Sequence, residues 1–350
     1  MRIAQVAPLI EAVPPLLYGG TERVVSYLTE ELVAMGHEVT LFASGDSRTS
    51  ARLVPCCPRA LRMDPACESR LVHHVLQLER VMEMADRFDI IHCHGDLLHY
   101  PWTRRSKVPV VTTLHGRQNI HGLAELYGEF DDVPLVSISQ AQRRPIPWVH
   151  WVATVHHGLP ETLLAATTGP GGYLAFIGRF SHEKRFDRAV AIARATGLKL
   201  KVAAKADAQD QAYFEQVVRP LLSDPLVEWV GEISEADKAA FLGGALAHLF
   251  PIDWPEPFGV VMIEAMACGT PTIAWPCGSV PEIVENGVSG YIVSSIEAAA
   301  KAVEACADFD RFGCRAAFER RFTAARMAAD YVAVYRRLGA LGRPALRVCD

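Results

Sequence analysis

The chain has 350 residues, of which 50% are hydrophobic and 21% are charged. This composition predicts a folded protein with about two domains, because a domain commonly contains about 100–200 residues. The 35 basic and 40 acidic residues give a net charge of −5, which argues against a general nucleic-acid-binding protein. The nine cysteines are odd in number and irregularly spaced, which argues against a disulfide framework and a zinc ribbon.

The N-terminal segment and the hydrophobicity of the chain predict a cytoplasmic location. Glu11, Pro14 and Pro15 interrupt the apolar run that a signal peptide would need. No stretch of about 18 uncharged apolar residues is present, so we expect no membrane-spanning helix. Basic residues of the first half could still contact the inner face of a membrane, although a solvated surface is the more common explanation. These residues are Arg59, Arg62, Arg104, Arg105, Lys107, Arg143 and Arg144.

The first half of the chain alternates short apolar runs with longer segments of helical periodicity. Strands are predicted at residues 3–7, 38–43, 89–92, 108–114, 135–137 and 151–155, and helices at 21–35 and 71–88. Alternation of this kind indicates a parallel sheet that is covered by helices on both faces.

Glycine and proline are dense over residues 158–172, which predicts a linker, and the alternation then starts again. Strands are predicted at residues 173–177, 200–204, 227–230, 247–250, 272–274 and 292–293, and helices at 186–195, 211–222, 236–242, 259–267 and 323–338. The sequence therefore predicts two doubly wound α/β domains, at 1–160 and 161–322, followed by a C-terminal helical segment at 323–350. Such domains bind a ligand at the carboxyl ends of their strands, in a cleft between them.

Two glutamates stand eight positions apart in the second half. Pro255 and Pro257 place Glu256 in a loop, and a helix is predicted to begin near Gly259. The first amides of that helix could bind an anion, and Gly259 would let the anion approach the backbone. Glu264 could accept hydrogen bonds from two ribose hydroxyls. The alternative is a proline turn before a helix with an acidic start.

This segment resembles the Glu-x7-Glu signature of the retaining glycosyltransferases of family 4. Other segments resemble motifs of that family in the same order: 19–25 its glycine turn, 111–116 its histidine loop, 176–185 its Arg/Lys phosphate segment, and 278–293 the stretch after the glutamates. The resemblance implies the GT-B architecture, in which two Rossmann-like doubly wound domains face a central cleft. It also implies that the last helix crosses back to the first domain.

Two cations follow the first strand of the second half. Arg179 offers a planar fork of donors and Lys184 a point charge, so together they could neutralise a departing diphosphate. A solvated basic loop is the alternative. Gly19 and Gly20 precede the first helix, where the absence of a Cβ would let a diphosphate approach, although a plain tight turn is the alternative.

Histidines mark the ends of two predicted strands of the first half. The resemblance assigns His115 to the donor sugar, where a neutral imidazole could bond a hydroxyl and an imidazolium could assist the departing phosphate. His92 and His94 alternate along a strand and therefore lie on one face, either for packing or for contact with the acceptor. We treat His94 and Asp96 as candidate acceptor-side residues.

The resemblance implies transfer of a hexose from a UDP- or GDP-sugar to a hydroxyl group of a sugar, a lipid-linked glycan or a small molecule, with retention of configuration. Glu256 would hold the sugar, and Glu264 the ribose. The remaining donor-binding positions are Gly178, Phe258, Gly259 and Val260 for the diphosphate, and Glu232 and Ile233 for the nucleobase. No cofactor is expected beyond the nucleotide-sugar substrate.

A metal site would normally need an Asp-x-Asp motif or a similar pattern. Asp308 and Asp310 have this spacing but fall between late helices, so we interpret them as helix caps and expect no metal. Two positions depart from the family pattern: His157 stands where an asparagine is usual, and Lys205 stands where a second glycine turn is common. A nucleotide-sugar epimerase, a sugar phosphorylase and a non-catalytic sugar-nucleotide-binding protein remain as alternatives.

Overall fold

The structure is a computed structural model that describes residues 1–16, 19–95, 97–169 and 171–340. It divides into two compact units. Unit 1 contains Met1–Gly158 and the closing helix that begins at Ala324, and unit 2 contains Leu159–Thr323. The sequence predicts the boundaries between these segments at residues 160/161 and 322/323.

Unit 1 is built on a parallel sheet of seven strands within the described residues, in the order β3-β2-β1-β4-β5-β6-β7. The strands are β1 (Arg2–Val6), β2 (Glu38–Ser44), β3 (Arg52–Cys57), β4 (Ile90–Cys93), β5 (Val110–Thr113), β6 (Leu135–Ser137) and β7 (Trp151–Thr154). The helices between them are α1 (Gly20–Ala34), α2 (Arg70–Glu83), α3 (Tyr100–Thr103), α4 (Leu123–Glu129) and α5 (Gln140–Arg143). The central strands are buried on both faces, as expected for a doubly wound sheet.

Unit 2 repeats this arrangement with six parallel strands in its described part, in the order β10-β9-β8-β11-β12-β13. The strands are β8 (Leu174–Arg179), β9 (Leu200–Lys205), β10 (Val227–Gly231), β11 (Ala247–Phe250), β12 (Thr272–Ala274) and β13 (Gly290–Ile292). The helices are α6 (Phe186–Thr196), α7 (Gln211–Tyr213), α8 (Arg219–Leu221), α9 (Glu235–Gly243), α10 (Val260–Ala267), α11 (Val280–Ile283), α12 (Ile296–Ala305) and α13 (Arg311–Arg321).

The closing helix α14 (Ala324–Ala340) packs in unit 1 against α1. Its buried positions recur at helical spacing, among them Tyr331, Tyr335 and Leu338, so one apolar stripe faces the core. Arg326 near its start donates hydrogen bonds to the carbonyls of His156 and His157, at 2.7 and 3.0 Å. The helix therefore brings two buried tyrosines to the first sheet.

Strand β3 is absent from the sequence-based prediction. It lies at the edge of the first sheet, is only partly buried and contains Pro55, which an edge strand tolerates because one side of its ladder is unpaired. Neither a clean alternation nor an apolar run therefore marks it in the sequence.

The helix that we predicted over residues 211–222 is interrupted. Between α7 and α8 the chain forms a π-helix, Phe214–Val218. Pro220 lies just after it and has no N–H to donate, so a regular α-helical ladder cannot run through this position.

The boundary between the two units falls within the predicted linker, after Gly158, and the described part of the segment that follows packs onto unit 2. The Leu159 amide donates to the Phe322 carbonyl at 2.9 Å, and Arg315 donates to the Leu164 carbonyl at 2.7 Å. Leu159 is completely buried. Glycine and proline here reflect an irregular backbone held by long-range hydrogen bonds.

None of the helices in the described residues combines the length and the apolar character that crossing a bilayer requires.

Candidate functional site

Each sheet reverses its strand order once, between β1 and β4 in unit 1 and between β8 and β11 in unit 2. In α/β sheets, ligands bind outside the carboxyl ends of the strands at such a reversal. Lys184 follows β8 and Glu256 follows β11, whereas His94 and His115 follow β4 and β5. Predicted site residues therefore occur at or next to both reversal points.

An ion pair joins the two loops at the reversal point of unit 2. The Lys184 Nζ lies 2.5 Å from the Glu256 Oε2, and the Trp254 indole N–H donates to the same oxygen at 3.1 Å. The side chains of Lys184 and Glu256 are 17% and 12% exposed, so the pair is largely shielded from water. The Nζ also lies 5.2 Å from the ring centroids of Phe250 and Trp254. The fold thus joins two predicted residues that are 72 positions apart.

Arg179 lies at the end of β8 between two carboxylates. Its Nη1 is 3.4 Å from the Asp207 Oδ2 and 3.7 Å from the Asp210 Oδ2. Lys205 joins the cluster, since its Nζ lies 3.2 Å from the Asp207 Oδ1. Burial raises the pKa of Asp207, but hydrogen bonds from Lys205 and Arg179 outweigh it, so the pKa falls below its usual value. Arg179 is therefore oriented by fixed negative charge.

The N-terminus of α10 is formed as the sequence predicts. Gly259 caps it with a φ of 77°, a left-handed conformation that glycine adopts without strain. The Phe258 ring is buried against Phe322, with ring centroids 6.2 Å apart, so only the Phe258 backbone could bind a ligand. Ser279, which the sequence analysis missed, holds the loop through hydrogen bonds to the carbonyls of Glu256 and Phe258, at 3.0 and 2.8 Å.

Glu264 lies inside α10 and is only 4% exposed. The Lys238 Nζ lies 2.6 Å from its Oε1 and 3.2 Å from the Glu235 Oε2. Sequence reasoning missed Lys238, because its spacing from Glu235 suggests an ordinary surface pair on a helix. Lys238 holds the Glu264 carboxylate in one orientation.

The remaining donor-side candidates are more dispersed. Glu232 is exposed and Ile233 is half-buried just after β10, the edge strand of the second sheet, while Gly178 lies within β8. In unit 1, Gly19 is the N-cap of α1, where an added Cβ would lie 2.8 Å from Pro15. Nothing lies within 4 Å of a Cβ added at Gly20, and Val260 begins α10 half-buried.

A group of histidines, of which His92 and His94 are buried and His115 is partly buried, occupies the corresponding end of unit 1. The His94 Nδ1 lies 3.0 Å from the His115 Nε2, and the His94 Nε2 lies 2.7 Å from the Gln5 Oε1. The Gln5 side-chain N–H donates to the Tyr335 hydroxyl at 3.1 Å. The His92 and His94 rings lie on one face of the strand, with centroids 4.0 Å apart. Gln5 and Tyr335 belong to no sequence motif, so only the fold identifies them as members of this hydrogen-bond network.

A second branch of this network contains His92. Its Nδ1 lies 2.7 Å from the Tyr335 hydroxyl, and its Nε2 lies 2.7 Å from the Thr113 hydroxyl. Thr113 in turn lies 2.9 Å from the Tyr331 hydroxyl. The two tyrosines of α14 are therefore tied to strands β1, β4 and β5.

Desolvation keeps these histidines neutral. It lowers the pKa of His92 and of His94 well below the usual value, and it lowers the pKa of His115 to about 3. Of the two roles considered for His115, this environment favours a neutral hydrogen-bonding imidazole over an imidazolium.

The acceptor-side candidates remain predictions. His94 is 3% exposed, and both of its ring nitrogens already have partners in Gln5 and His115. Asp96 lies outside the described residues. His157, which departs from the family pattern, stacks on His115 with ring centroids 5.3 Å apart and an interplanar angle of 17°.

Of the two aspartates of the Asp-x-Asp segment, Asp310 has the predicted capping role, whereas Asp308 ends a 3-10 helix, Cys306–Asp308. The Asp310 side chain accepts a hydrogen bond from the Gly313 amide at 2.9 Å, at the N-terminus of α13. No group of three or more His, Cys, Asp or Glu residues within the described part of the chain is arranged to hold a metal ion.

Three of the basic residues considered for membrane contact are engaged within unit 1. Arg62 pairs with Glu11 at 2.8 Å and Arg104 with Asp132 at 2.7 Å. The Arg143 guanidinium lies 5.3 Å from the centroid of the Trp151 ring. Membrane contact stays a prediction.

Two family models match this chain. Residues 18–132 match the model described as Glycosyltransferase Family 4, and residues 168–309 match the model described as Glycosyl transferases group 1. The chain is also 26% identical to a glycogen synthase of Mycobacterium tuberculosis (strain H37Rv) over an alignment of 373 positions, which covers 89% of this chain and 87% of that protein.

Solved structures with the same fold extend over nearly the whole chain. AviGT4, a glycosyltransferase involved in avilamycin A biosynthesis, superposes with a TM-score of 0.73 at 24% identity, covering 97% of this chain and 98% of its own. Anabaena HepE in complex with UDP-glucose superposes with a TM-score of 0.73 at 15% identity, covering 96% of this chain and 100% of its own.

Proposed function

We propose that this chain, a glycosyltransferase with the GT-B fold, transfers a hexose from a UDP- or GDP-sugar to a hydroxyl group with retention of the anomeric configuration. The acceptor would be a sugar, a lipid-linked glycan or a small molecule. Structural similarity to a protein in complex with UDP-glucose supports a nucleotide-sugar donor. The Glu-x7-Glu spacing of Glu256 and Glu264 supports retention.

The observation that carries the proposal is the ion pair between Lys184 and Glu256. It places a cation and a carboxylate together at the strand-order reversal of unit 2, where α/β sheets bind nucleotides. The cation would bind the donor diphosphate, whose negative charge grows as the sugar departs. The carboxylate would then accept hydrogen bonds from the sugar hydroxyls.

Other residues complete the proposed donor site. Arg179 would share the diphosphate charge, and the amides at the start of α10 would cap it, since an anion is favoured at a helix N-terminus. Glu264, held by Lys238, would bind the ribose. The exposed Glu232 and the half-buried Ile233 would contact the nucleobase. We propose that these groups stabilise the leaving diphosphate without a metal ion or other cofactor.

His115 of unit 1 would bind the sugar as a neutral hydrogen-bonding group. The donor diphosphate, rather than a protein nucleophile, would remain near the reacting carbon and help to deprotonate the acceptor hydroxyl. In this scheme neither Glu256 nor Glu264 forms a covalent bond to the sugar.

A thermal-shift panel of nucleotide sugars tests the donor site, because a ligand that binds the native state raises its melting temperature. We expect a UDP- or GDP-hexose to stabilise the protein and Lys184→Ala to abolish the shift. Arg194→Ala is the matched control, since Arg194 pairs with Asp224 on the surface of unit 2 with its side chain 58% exposed. Equal shifts in both variants would contradict the assignment.

The stereochemistry and the alternatives are tested by product analysis. Incubation of the stabilising donor with candidate acceptors should yield, by NMR, a glycoside with the anomeric configuration of the donor. An inverted product would contradict retention. Conversion of the donor to another sugar without an acceptor would indicate an epimerase, although the related proteins named above do not favour this.

We propose that the enzyme acts in the cytoplasm and could contact the inner face of a membrane peripherally. In α2, Leu71, Val72, Val75 and Leu76 are each more than half exposed and recur at helical spacing, which leaves an apolar stripe on the surface. Co-sedimentation with anionic vesicles would test this contact, and Leu76→Glu should weaken it.

A further inference from the structure

A chain of hydrogen bonds runs from the closing helix to His115 through three buried side chains. It passes from the Tyr335 hydroxyl to the Gln5 amide (3.1 Å), to His94 (2.7 Å) and to His115 (3.0 Å). Gln5, His94 and Tyr335 are at most 3% exposed. The proposed function uses only His115, so the other three buried polar groups still require an explanation.

The direction of these hydrogen bonds is set by Gln5. A neutral imidazole or a hydroxyl can be a donor or an acceptor, whereas an amide oxygen only accepts and an amide NH₂ only donates. Because the Gln5 Oε1 faces the His94 Nε2, that nitrogen carries the proton. The His94 Nδ1 is then the acceptor, so the His115 Nε2 must donate to it. The His115 Nδ1 therefore has a free lone pair.

The His115 Nδ1 still lacks a donor. This atom is buried and has no hydrogen-bond partner among the described residues, although His115 as a residue is only partly buried. A buried acceptor without a donor is unfavourable, which makes a ligand that brings a proton favourable there. A sugar hydroxyl can donate to this nitrogen, whereas an ionised phosphate oxygen cannot.

We propose that Gln5 and Tyr335 are positioning residues that hold His115 in the tautomer protonated on Nε2, so that its Nδ1 accepts a hydrogen bond from a hydroxyl of the donor sugar. This inference rests on the proposed function. Tyr335 accepts a hydrogen bond from the Gln5 NH₂ group, while its own hydroxyl proton is donated to the His92 Nδ1, 2.7 Å away. The hydroxyl therefore has no second proton to donate to the oxygen of a reversed amide. A reversed amide would reverse each hydrogen bond along the chain and place the proton on the His115 Nδ1.

The closing helix supplies a matched control for Tyr335. Tyr331 lies one turn earlier on α14, is equally buried, and its hydroxyl lies 2.9 Å from that of Thr113 on the His92 branch. Tyr331→Phe therefore removes a buried hydroxyl from the same helix without removing the acceptor of the Gln5 amide.

Nitrogen-15 NMR of histidine-labelled protein reads the tautomer directly. The His115 signals are identified by their loss in His115→Gln. We expect the unmodified protein and Tyr331→Phe to carry the proton on Nε2, and Tyr335→Phe to show a mixture of both tautomers. A proton on Nδ1 in the unmodified protein overturns the proposal, as does an unchanged tautomer in Tyr335→Phe. The first of these results does not depend on the variant folding.

Kinetics with deoxygenated donors test the hydroxyl contact. With the intact donor sugar, Tyr335→Phe should lower kcat/KM about threefold to tenfold, the loss expected for one hydrogen bond. For one donor that lacks a single hydroxyl, kcat/KM in the unmodified enzyme should fall by a similar factor. Tyr335→Phe should not lower kcat/KM for that donor any further. If Tyr335→Phe lowers kcat/KM by the same factor with every deoxygenated donor as with the intact donor, the proposed contact with one hydroxyl is wrong. Failure of every nucleotide sugar to react would instead contradict the proposed function, while the tautomer measurement needs no turnover.

Discussion

The two units share one topology and differ in the chemistry at the reversal of their strand order. In unit 2 the loops after β8 and β11 are joined by the Lys184–Glu256 ion pair, and Arg179 is held between carboxylates nearby. In unit 1 the corresponding position holds neutral histidines linked to Gln5. The topology alone therefore does not specify the chemistry at the reversal point, which the side chains of each unit decide separately. Charged groups of the kind found in unit 2 suit an anion, and the neutral donors and acceptors of unit 1 suit hydroxyl groups.

The largest expected effect concerns the charge in unit 2. Lys184→Ala should lower kcat/KM about 10²- to 10³-fold, because loss of one group that stabilises developing negative charge commonly has this magnitude. Steady-state kinetics with the preferred donor measures the change, and Arg194→Ala should stay within about twofold of the parent. Comparable losses in the two variants would remove the contrast between the units.

A smaller effect is expected from a substitution of the buried glutamate of α10. Glu264→Gln should raise the KM for the donor about tenfold or more and change kcat much less, because hydrogen bonds to a charged group contribute about 1.5–3 kcal/mol. The control is Glu235→Gln, which removes the other carboxylate close to Lys238 and should leave the KM nearly unchanged. A large loss of kcat in Glu264→Gln with an unchanged KM would contradict a role in ribose binding.

A stability measurement, in which each pH unit changes the free energy of unfolding by an amount equal to about one tenfold step, tests whether the buried histidines of unit 1 are neutral. Burial lowers the pKa of His99 to about 3, and its Nε2 lies 2.6 Å from the Thr112 hydroxyl. In the unfolded chain a histidine has a pKa of about 6.5, so below that pH the unfolded state binds a proton that the folded state does not. The free energy of unfolding should therefore fall by about 1.4 kcal/mol per pH unit for this residue as the pH decreases from about 6 to 4.

Urea unfolding at several pH values measures this slope. His99→Gln should show a slope that is smaller by about 1.4 kcal/mol per pH unit, whatever its stability at neutral pH. Identical slopes in His99→Gln and the parent would show that His99 is protonated in the folded state.

The fold was predictable where local pattern and burial agree. Strands β6, β11 and β12 have the predicted bounds, because each is a short, fully buried run in which apolar residues predominate. Strand β3 was missed because Pro55 and partial exposure disguise it. Helix α12 was also missed, although Ser295 caps it through a hydrogen bond from the Ala298 amide. A serine directly before an alanine-rich run is a sequence signal for the start of a helix, and it could have predicted α12.

The sequence by itself determined the class of protein, two parallel α/β units, and the two glutamates, Arg179, Lys184 and His115 as candidate site residues, because motif spacing survives in the linear chain. Only the tertiary structure decided their partners. Lys238 holds Glu264, and Gln5 reaches Tyr335 across 330 positions. Such contacts depend on strand register and on where the closing helix packs, so no local pattern encodes them. The same packing removes water from the histidines and thereby selects their neutral form.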